Sequence, residues 1–438
     1  MVLLSHGITT SILAPVFTLY THEASDTKKL SDGVIGIIIG TFDVANFFAS
    51  LCASCILKSS HLEEMFALSI FTSGVVSLIF GIAVYLPNGV AFVGVCIFLR
   101  IIEGTCYAFG WSAGLCLIVN HYGPGHSNYA YSLANTAAVS GFIIGPTLGA
   151  FLYTVGNYIV PFLCSGFVSI TLSSLFYLQR TNLTKAESLD YIVADSDDLT
   201  KSEPCLSNPK YFTYNHWLFF RRLSTICIVC GITTASFSYG FFETALAPHV
   251  KHTSSVTTYA VSWLLLAIAY CVVGLCAGKL YDKGIWQLHP ISSLILVLSF
   301  FLQFLPKLQP KLNNSWFITG FLILWSSSIT VFLTPTLNWL RILANKSSIS
   351  DPNPFVCAVQ NQFWTLGRAI GAMLYGGFIK ENIGYYETCL MLSISIAIAS
   401  FILTNFHLKL NMASSSDCRL SCQFKIVFRN SVNINYWK

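Results

Sequence analysis

Long stretches of apolar residues recur along the whole chain and are separated by polar segments. A helix needs about 20 mostly apolar residues to cross about 30 Å of hydrocarbon, and twelve stretches of this kind are present. Their approximate bounds are 2–20, 33–57, 65–86, 90–118, 129–155, 157–178, 223–247, 256–277, 286–306, 315–340, 357–379 and 384–408. The pattern therefore predicts an all-α membrane protein with twelve transmembrane helices.

One connector is much longer than the others. Residues 179–222 carry six Asp and Glu together with six Lys and Arg, which is typical of a solvated linker. The linker divides the chain into a six-helix bundle at 1–178 and a second six-helix bundle at 223–408. A polar tail follows at 409–438.

The composition agrees with a membrane protein. Charged residues make up 10% of the 438 residues, whereas soluble chains carry about 25%, and the mean hydropathy is +0.65. These values argue against a soluble enzyme, a nucleic-acid-binding protein and a disordered scaffold. The sequence contains no evident nucleotide loop, nucleophile constellation or metal-ligand cluster, so we expect no enzymatic activity, cofactor or metal. We expect a monomer whose partners are the lipid bilayer, a small-molecule substrate and protons.

The distribution of basic residues predicts the orientation. With the N-terminus in the cytoplasm, the inward-facing segments hold 16 of the 24 Lys and Arg residues and the outward-facing segments hold six. Cytoplasmic loops of membrane proteins carry such an excess. Both termini and the linker are therefore predicted to be cytoplasmic.

Glycine-rich segments occupy equivalent positions in the two halves. The fifth stretch contains Gly141 and Gly145, and the eleventh contains Gly367 and Gly371, about 226 residues further along. Small residues at this spacing let two helices approach closely, and Pro146 is expected to bend its helix. Generic helix packing explains either segment alone, but their paired placement predicts an internal repeat. Transporters use such repeats to move two bundles about a central site.

At these residues the chain resembles the major facilitator superfamily. Gly145, Pro146 and Gly149 resemble the antiporter motif of that superfamily. The segment between the eighth and ninth stretches resembles its cytoplasmic loop motif, with Gly278, Lys279, Leu280, Tyr281, Asp282, Lys283 and Gly284 in order. In this motif the aspartate is expected to cap a helix end and latch the bundles together. The corresponding loop of the first half, residues 58–64, departs from the pattern.

Within the superfamily, the chain is most similar to the vesicular amine transporters and to their vesicular polyamine branch. The fragments that carry this similarity are 12–15, 98–103, 141–161, 240–246 and 363–385. The resemblance implies a secondary transporter that exchanges lumenal protons for a cytosolic cationic amine or polyamine. It also implies a location in an intracellular vesicle membrane, with the plasma membrane as the alternative.

Five ionisable residues fall inside the predicted spans: Asp43, Arg100, Glu103, Glu243 and Arg368. A charge at mid-membrane is costly unless it is paired or hydrated, so such residues are functional candidates. They lie on the second, fourth, seventh and eleventh spans, which line the central cavity according to the resemblance.

The role expected of each charged residue differs. Glu243 is the first candidate for binding either a proton or an ammonium group, and the alternative is a carboxylate satisfied by a structural hydrogen bond. Arg100 and Glu103 share a helix face and form either a structural ion pair or a proton-coupled gate. Asp43 is expected to join that pair or to be solvated. Arg368 is expected to pair with an acid or a lipid phosphate, because it would repel a cationic substrate.

Some positions depart from the monoamine carriers of the family. Where those proteins carry acids in the first, tenth and eleventh spans, this chain offers His6, Thr330 and Asn361. The loss of acids argues against a monoamine carrier. Together with Asn361, Tyr239 and Trp364 are candidates for the cavity wall, since aromatic rings can bind a cation; ordinary packing is the alternative for both.

Two other hypotheses fit the sequence. The first is a carrier of the same fold for another small solute. The second is a truncated, non-transporting paralogue, suggested by the first span beginning almost at Met1 and by the atypical first-half loop.

Overall fold

The computed structural model describes residues 1–23, 30, 32–58, 61–86, 89–194, 218–250, 256–309, 314–349, 351–374 and 384–398. Side chains at several helical positions, including 180–194 and 243–250, lie outside this description. The described parts are helical and contain no strand. Most of the predicted linker and the whole predicted tail lie outside the described residues.

The helices follow the order of the predicted spans. Their bounds are α1 Val2–Glu23, α2 Asp32–Ile56, α3 Leu62–Ile82, α4 Val90–Tyr122, α5 Ser127–Gly156, α6 Ile159–Ala194, α7 Leu223–Val250, α8 Val256–Asp282, α9 Leu288–Leu308, α10 Ser315–Leu333, α11 Thr336–Lys346, α12 Pro352–Leu374 and α13 Tyr385–Ile398. Helices α1 to α9 correspond to the first nine predicted spans. Helices α10 and α11 form the tenth, and α12 and α13 correspond to the eleventh and twelfth. The protein is thus an all-α membrane protein of two six-helix bundles.

Two helices depart from the predicted bounds. Helix α6 continues to Ala194, although its apolar part ends at Gln179. The tenth span is interrupted at Thr334 and Pro335, because a proline within a helix removes a backbone donor and clashes with the preceding turn.

In the described part, nine segments are long and apolar enough to cross a membrane. Helix α12 is not among them, although it packs between the two bundles. It carries Gln360, Asn361 and Gln362, all buried, and also Arg368. A span that is polar on its protein-facing side is typical of a helix that lines an internal cavity.

Glycines allow the closest helix contacts, and they do so in the same way in both halves. Helix α1 packs on α5, and α7 packs on α12. A Cβ atom on Gly141 would collide with the carbonyl oxygen of Leu4, and one on Gly371 would collide with the carbonyl oxygen of Phe237. The equivalent helix pairs of the two bundles are therefore held by backbone-to-backbone contact, as the predicted repeat requires.

The antiporter-like segment belongs to the same contact. A Cβ atom on Gly145 would collide with the Ser11 hydroxyl group, and one on Gly149 would lie 2.6 Å from Ile12 Cγ1. Pro146 lies inside α5. These residues thus let α5 pack tightly on α1.

The largest contacts between the bundles involve three helix pairs. Helix α2 packs on α12, α4 packs on α12, and α5 packs on α8. The space between these contacts forms the central cavity described next.

Candidate functional site

The central cavity lies between the two bundles. It is walled by α4 and α5 on one side and by α7, α8, α10 and α12 on the other. Nine of its lining side chains are aromatic: Tyr107, Trp111, Tyr131, Phe142, Tyr239, Trp263, Tyr270, Trp325 and Trp364. The remaining lining residues are Asn135, Ala138, Val139, Ile143, Leu266, Ile329, Gln360, Asn361 and Arg368.

The aromatic rings form connected walls. The Tyr239 ring centroid lies 6.1 Å from that of Trp325 and 5.8 Å from that of Trp364. In the opposite bundle, the rings of Tyr107 and Trp111 are nearly parallel, with centroids 6.5 Å apart. A cation within about 6 Å of such a ring face is attracted by the π-electrons. The described rings can therefore attract a cation that enters the cavity.

Amide groups connect the cavity walls across the two bundles. Gln360 Nε2 donates hydrogen bonds to the Tyr131 hydroxyl oxygen and to Thr336 Oγ1, both at 3.2 Å. Asn135 Nδ2 donates a hydrogen bond to the Tyr270 hydroxyl oxygen. Gln360, Asn135 and Tyr270 were not predicted from the sequence, although the two amides, which lie inside apolar spans, are a usable signal.

Among the described lining residues, Arg368 carries a charge, and an acid from the other bundle balances it. Arg368 Nη2 lies 3.0 Å from Asp43 Oδ1 and donates a hydrogen bond to Asp43 Oδ2 at 3.2 Å. The side chains are 17% and 14% exposed, respectively. Arg368 also faces the Phe142 ring at 5.8 Å. The predicted pairing of Arg368 with an acid is thus present, and it joins α12 to α2.

This ion pair belongs to a row of polar contacts between α2 and α12, which we call the α2–α12 ladder. Its rungs are Asp43–Arg368, Asn46–Thr365 and Ser50–Asn361. Asn46 Nδ2 donates to Thr365 Oγ1 at 3.1 Å, and Asn361 Nδ2 donates to Ser50 Oγ at 2.8 Å and to Asn46 Oδ1 at 2.9 Å. The rungs recur every three or four residues on both helices, so one face of each antiparallel helix carries them.

Arg100 and Glu103 pair with each other inside the first bundle. Arg100 Nη1 donates to Glu103 Oε2 at 2.6 Å, and both residues are 3% exposed. The Arg100 guanidinium also lies 4.6 Å from the Phe42 ring centroid and donates to the Ile39 carbonyl oxygen at 3.4 Å. The pair thus ties α4 to α2 behind the cavity wall, as a structural ion pair would.

Asp282 joins the bundles at one end of the molecule. Its Oδ1 accepts hydrogen bonds from Asn128 N at 3.1 Å and Asn128 Nδ2 at 2.9 Å, and its Oδ2 accepts one from Tyr129 N at 3.0 Å. These amides lie at the start of α5, where helix donors lack partners within the helix. The carboxylate therefore caps α5 from the end of α8. We call the end of the molecule that contains Asp282, Asn128 and the start of α12 the latch end.

The other residues of the loop motif make this contact possible. A Cβ atom on Gly278 would lie 2.7 Å from Ser132 Oγ, so the glycine allows α8 to approach α5. Lys283 is exposed. Gly284 has φ of +83°, a conformation that turns the chain after α8 and disfavours other residues.

Glu243 lies on α7, one turn beyond Tyr239, and its side chain is outside the described residues. The three other cavity candidates, Tyr239, Asn361 and Trp364, do line the cavity. Among the described residues, no group of three or more His, Cys, Asp or Glu side chains is placed to hold a metal ion.

Comparisons with known proteins agree with this architecture. The profile described as Major Facilitator Superfamily matches residues 1–372. The human MFS-type transporter SLC18B1 is 24% identical over 388 residues, which are 86% of this chain and 77% of the human protein. Multidrug resistance protein 2 of Bacillus subtilis (strain 168) is 22% identical over 369 residues, covering 81% of this chain and 82% of the bacterial protein.

A solved structure shares the fold. The proton:xylose symporter XylE, bound to 6-bromo-6-deoxy-D-glucose, superposes with a TM-score of 0.64 at 12% identity. The match covers 92% of this chain and 93% of the symporter.

Proposed function

The chain belongs to the major facilitator superfamily and is a secondary transporter, and we propose that it exchanges protons for a cationic amine or polyamine by alternating access. The observation that carries this proposal is the cavity wall, where nine aromatic rings surround one arginine whose charge is balanced by Asp43. The resemblance to the vesicular amine transporters supports the same substrate class.

The aromatic walls supply the attraction for a cation. Each well-placed ring contributes about 0.5–2 kcal/mol to binding of an ammonium group, depending on its desolvation. The carbonyl oxygens of Gln360 and Asn361 can accept hydrogen bonds from the same group. The cavity therefore complements both the ammonium group and the apolar body of such an amine.

The ion pair between Asp43 and Arg368 supplies the coupling. While Asp43 is ionised, the charge of Arg368 is compensated and a cation can bind near it. When Asp43 takes up a proton, the compensation is lost and the cavity wall gains one positive charge. The amine is then repelled, so proton and amine exclude each other, as antiport requires.

Glu243 is proposed as a second carboxylate that makes proton binding and amine binding mutually exclusive. It follows Tyr239 by one turn of α7, and Tyr239 lines the cavity. A carboxylate at this level can bind a proton or an ammonium group but not both.

The contacts that join the bundles support alternating access. The α2–α12 ladder and the Asp282 cap of α5 both cross from one bundle to the other. Opening the latch end requires the Asp282 cap to break, and it also separates α2 from α12. We propose that the latch end faces the cytoplasm and that the protein resides in a vesicle membrane.

The test is uptake by the full chain in proteoliposomes with an acidic interior. Radiolabelled spermidine and serotonin are supplied outside, with and without a proton uncoupler. Uncoupler-sensitive uptake of either amine is the expected result and identifies the substrate class. Folded protein that neither takes up an amine nor collapses the pH gradient in its presence would refute the proposal.

A carrier for another small solute is the second candidate. It is favoured by the absence of a carboxylate from the cavity lining as far as the structure describes it, and by the presence of Arg368 there. In the same proteoliposomes, a neutral or anionic solute that is taken up while both amines are excluded would establish this candidate.

A further inference from the structure

Two cysteines of different bundles face each other near the latch end. Cys116 lies in α4 and Cys357 in α12, and both are 0% exposed. Helices α4 and α12 pack against each other, and the two thiols are close enough to interact directly.

A neighbouring hydrogen bond fixes the register of these two helices. Asn353 Nδ2 donates to Asn120 Oδ1 at 2.7 Å. One step of four residues along each helix, about one turn, leads from this bond to Cys116 and Cys357. The thiols are therefore opposite each other, one turn inside the hydrogen bond that closes the same interface.

We infer that Cys116 and Cys357 are placed to form a disulfide that ties the two bundles together, and that a small two-electron oxidant that reaches the buried pair makes this bond. Each thiol loses one proton and one electron, and the two sulfurs form one bond. With a diazene such as diamide as oxidant, the nitrogen–nitrogen double bond takes up both hydrogens and becomes a hydrazine. The inference that the bond arrests transport rests on the proposed function, whereas bond formation does not.

The position of the pair determines its effect. A disulfide holds two Cβ atoms about 4 Å apart, so α4 and α12 could no longer separate at the latch end. Cys52 and Cys55, in contrast, are both on α2, and a bond between them would leave the two bundles unconnected. Oxidation of the Cys116–Cys357 pair should therefore hold the latch end closed.

The chain offers a matched control at the other interface between the bundles. Cys271 of α8 lies 3.4 Å from Ser140 of α5, measured from Sγ to Oγ. It is a partly buried cysteine that meets a hydroxyl group across the bundles. Cys271→Ser should leave the oxidation behaviour unchanged, whereas Cys116→Ser and Cys357→Ser should each abolish it.

The first measurement is chemical. The full chain in proteoliposomes is treated with diamide, digested without reductant and analysed by mass spectrometry. We expect a cross-linked peptide pair containing Cys116 and Cys357, absent after dithiothreitol and absent from both single variants. If the exposed Cys52 and Cys55 are oxidised and no such peptide pair forms in the unmodified chain, the inference is wrong.

The second measurement reports the closed latch end. Hydrogen–deuterium exchange at the starts of α5 and α12 should fall on oxidation and recover on reduction. Amine uptake should fall in proportion to the cross-linked fraction. A cross-link that leaves exchange unchanged would contradict the inference that the disulfide holds the latch end closed. A cross-link that lowers exchange, in protein whose reduced form takes up no amine, would support that inference and count only against the proposed amine transport.

Discussion

At the scale of single residues, two pairs of opposite charges lie inside the described part of the molecule. Arg100 with Glu103 and Arg368 with Asp43 each combine one cation with one anion. The first pair stays within one helix, and the second crosses between bundles. Breaking the second pair therefore changes both the charge of the cavity wall and the contact between bundles.

Asp43→Asn is expected to weaken amine binding. An uncompensated charge about 8 Å from a bound ammonium group, at an effective dielectric constant of about 20, costs about 2 kcal/mol, or about thirtyfold in affinity. Uptake should also lose its dependence on the pH gradient. Both quantities are measured from the amine concentration dependence of uptake at several gradients.

The double variant Asp43→Asn with Arg368→Gln distinguishes the effect of the Arg368 charge on amine affinity from the coupling of uptake to the pH gradient. It should recover much of the affinity, because the unbalanced charge is gone, but uptake should stay insensitive to the gradient. Glu387→Gln is the control, since Glu387 pairs with Lys307 outside the cavity. Unchanged amine affinity in Asp43→Asn would contradict the proposed electrostatic coupling.

Glu243→Gln is expected to abolish coupling and leave the fold intact. The amide keeps the size of the side chain and cannot exchange a proton. Proton release during amine uptake, recorded with a pH-sensitive dye, is the measurement. Normal proton–amine exchange in this variant would remove Glu243 from the mechanism.

At the scale of helices, small residues decide which elements can touch. The contact of α1 with α5 and that of α7 with α12 both depend on glycines that face a carbonyl group. The repeat was visible in the sequence because glycine spacing is local information. The sequence did not reveal which helix each glycine contacts, because Gly141 and Leu4 are far apart in the chain.

Gly141→Ala is expected to destabilise the first bundle. The added methyl group collides with backbone that cannot rotate away, and overpacking of this kind costs about 1–3 kcal/mol. Gly36→Ala on α2 is the control, because a Cβ atom there meets nothing within 4 Å. Thermal unfolding in detergent should show a lower midpoint for Gly141→Ala than for Gly36→Ala, and equal midpoints would show that the α1–α5 contact can adjust.

Asp282→Ala is expected to favour opening of the latch end. Loss of a helix cap costs about 1 kcal/mol, which changes a two-state population about fivefold. Lys346→Ala, an exposed residue at the end of α11, is the control. Hydrogen–deuterium exchange at Asn128 and Tyr129 should rise in the first variant only, and protection as strong as in the parent would show that Asp282 is not the latch.

At the scale of the whole molecule, the membrane made the fold predictable. Bilayer thickness sets the length of an apolar span, so the spans could be counted from the sequence. Helix ends were harder to predict from the sequence, because α6 continues in polar sequence and Pro335 interrupts the tenth span.

The candidate site was predicted only in part. The buried charges stood out because lipid excludes them, but the pairing of Asp43 with a residue 325 positions away leaves no trace in spacing. The aromatic lining, Tyr131 and Trp263 for example, was missed since rings are equally suited to lipid, core and cavity.

The orientation of the whole molecule can be tested by labelling. Lys283→Cys lies at the latch end and Leu308→Cys at the opposite end of its helix hairpin, and both positions are exposed. In sealed vesicles whose cytoplasmic face points outward, a membrane-impermeant maleimide added to the outside should modify the first variant and spare the second. The reverse pattern would place the latch end outside the cytoplasm.

The α2–α12 ladder has a consequence for the order of events. Its Ser50–Asn361 rung lies nearest the latch end and its Asp43–Arg368 rung lies farthest from it, because α12 begins at that end. A bundle that tilts open from the latch end would break the neutral rungs first, each at a net cost of about 1 kcal/mol. The bundle would rotate about the charged rung, which would break last. Protonation of Asp43 would therefore be the final step before α2 and α12 separate.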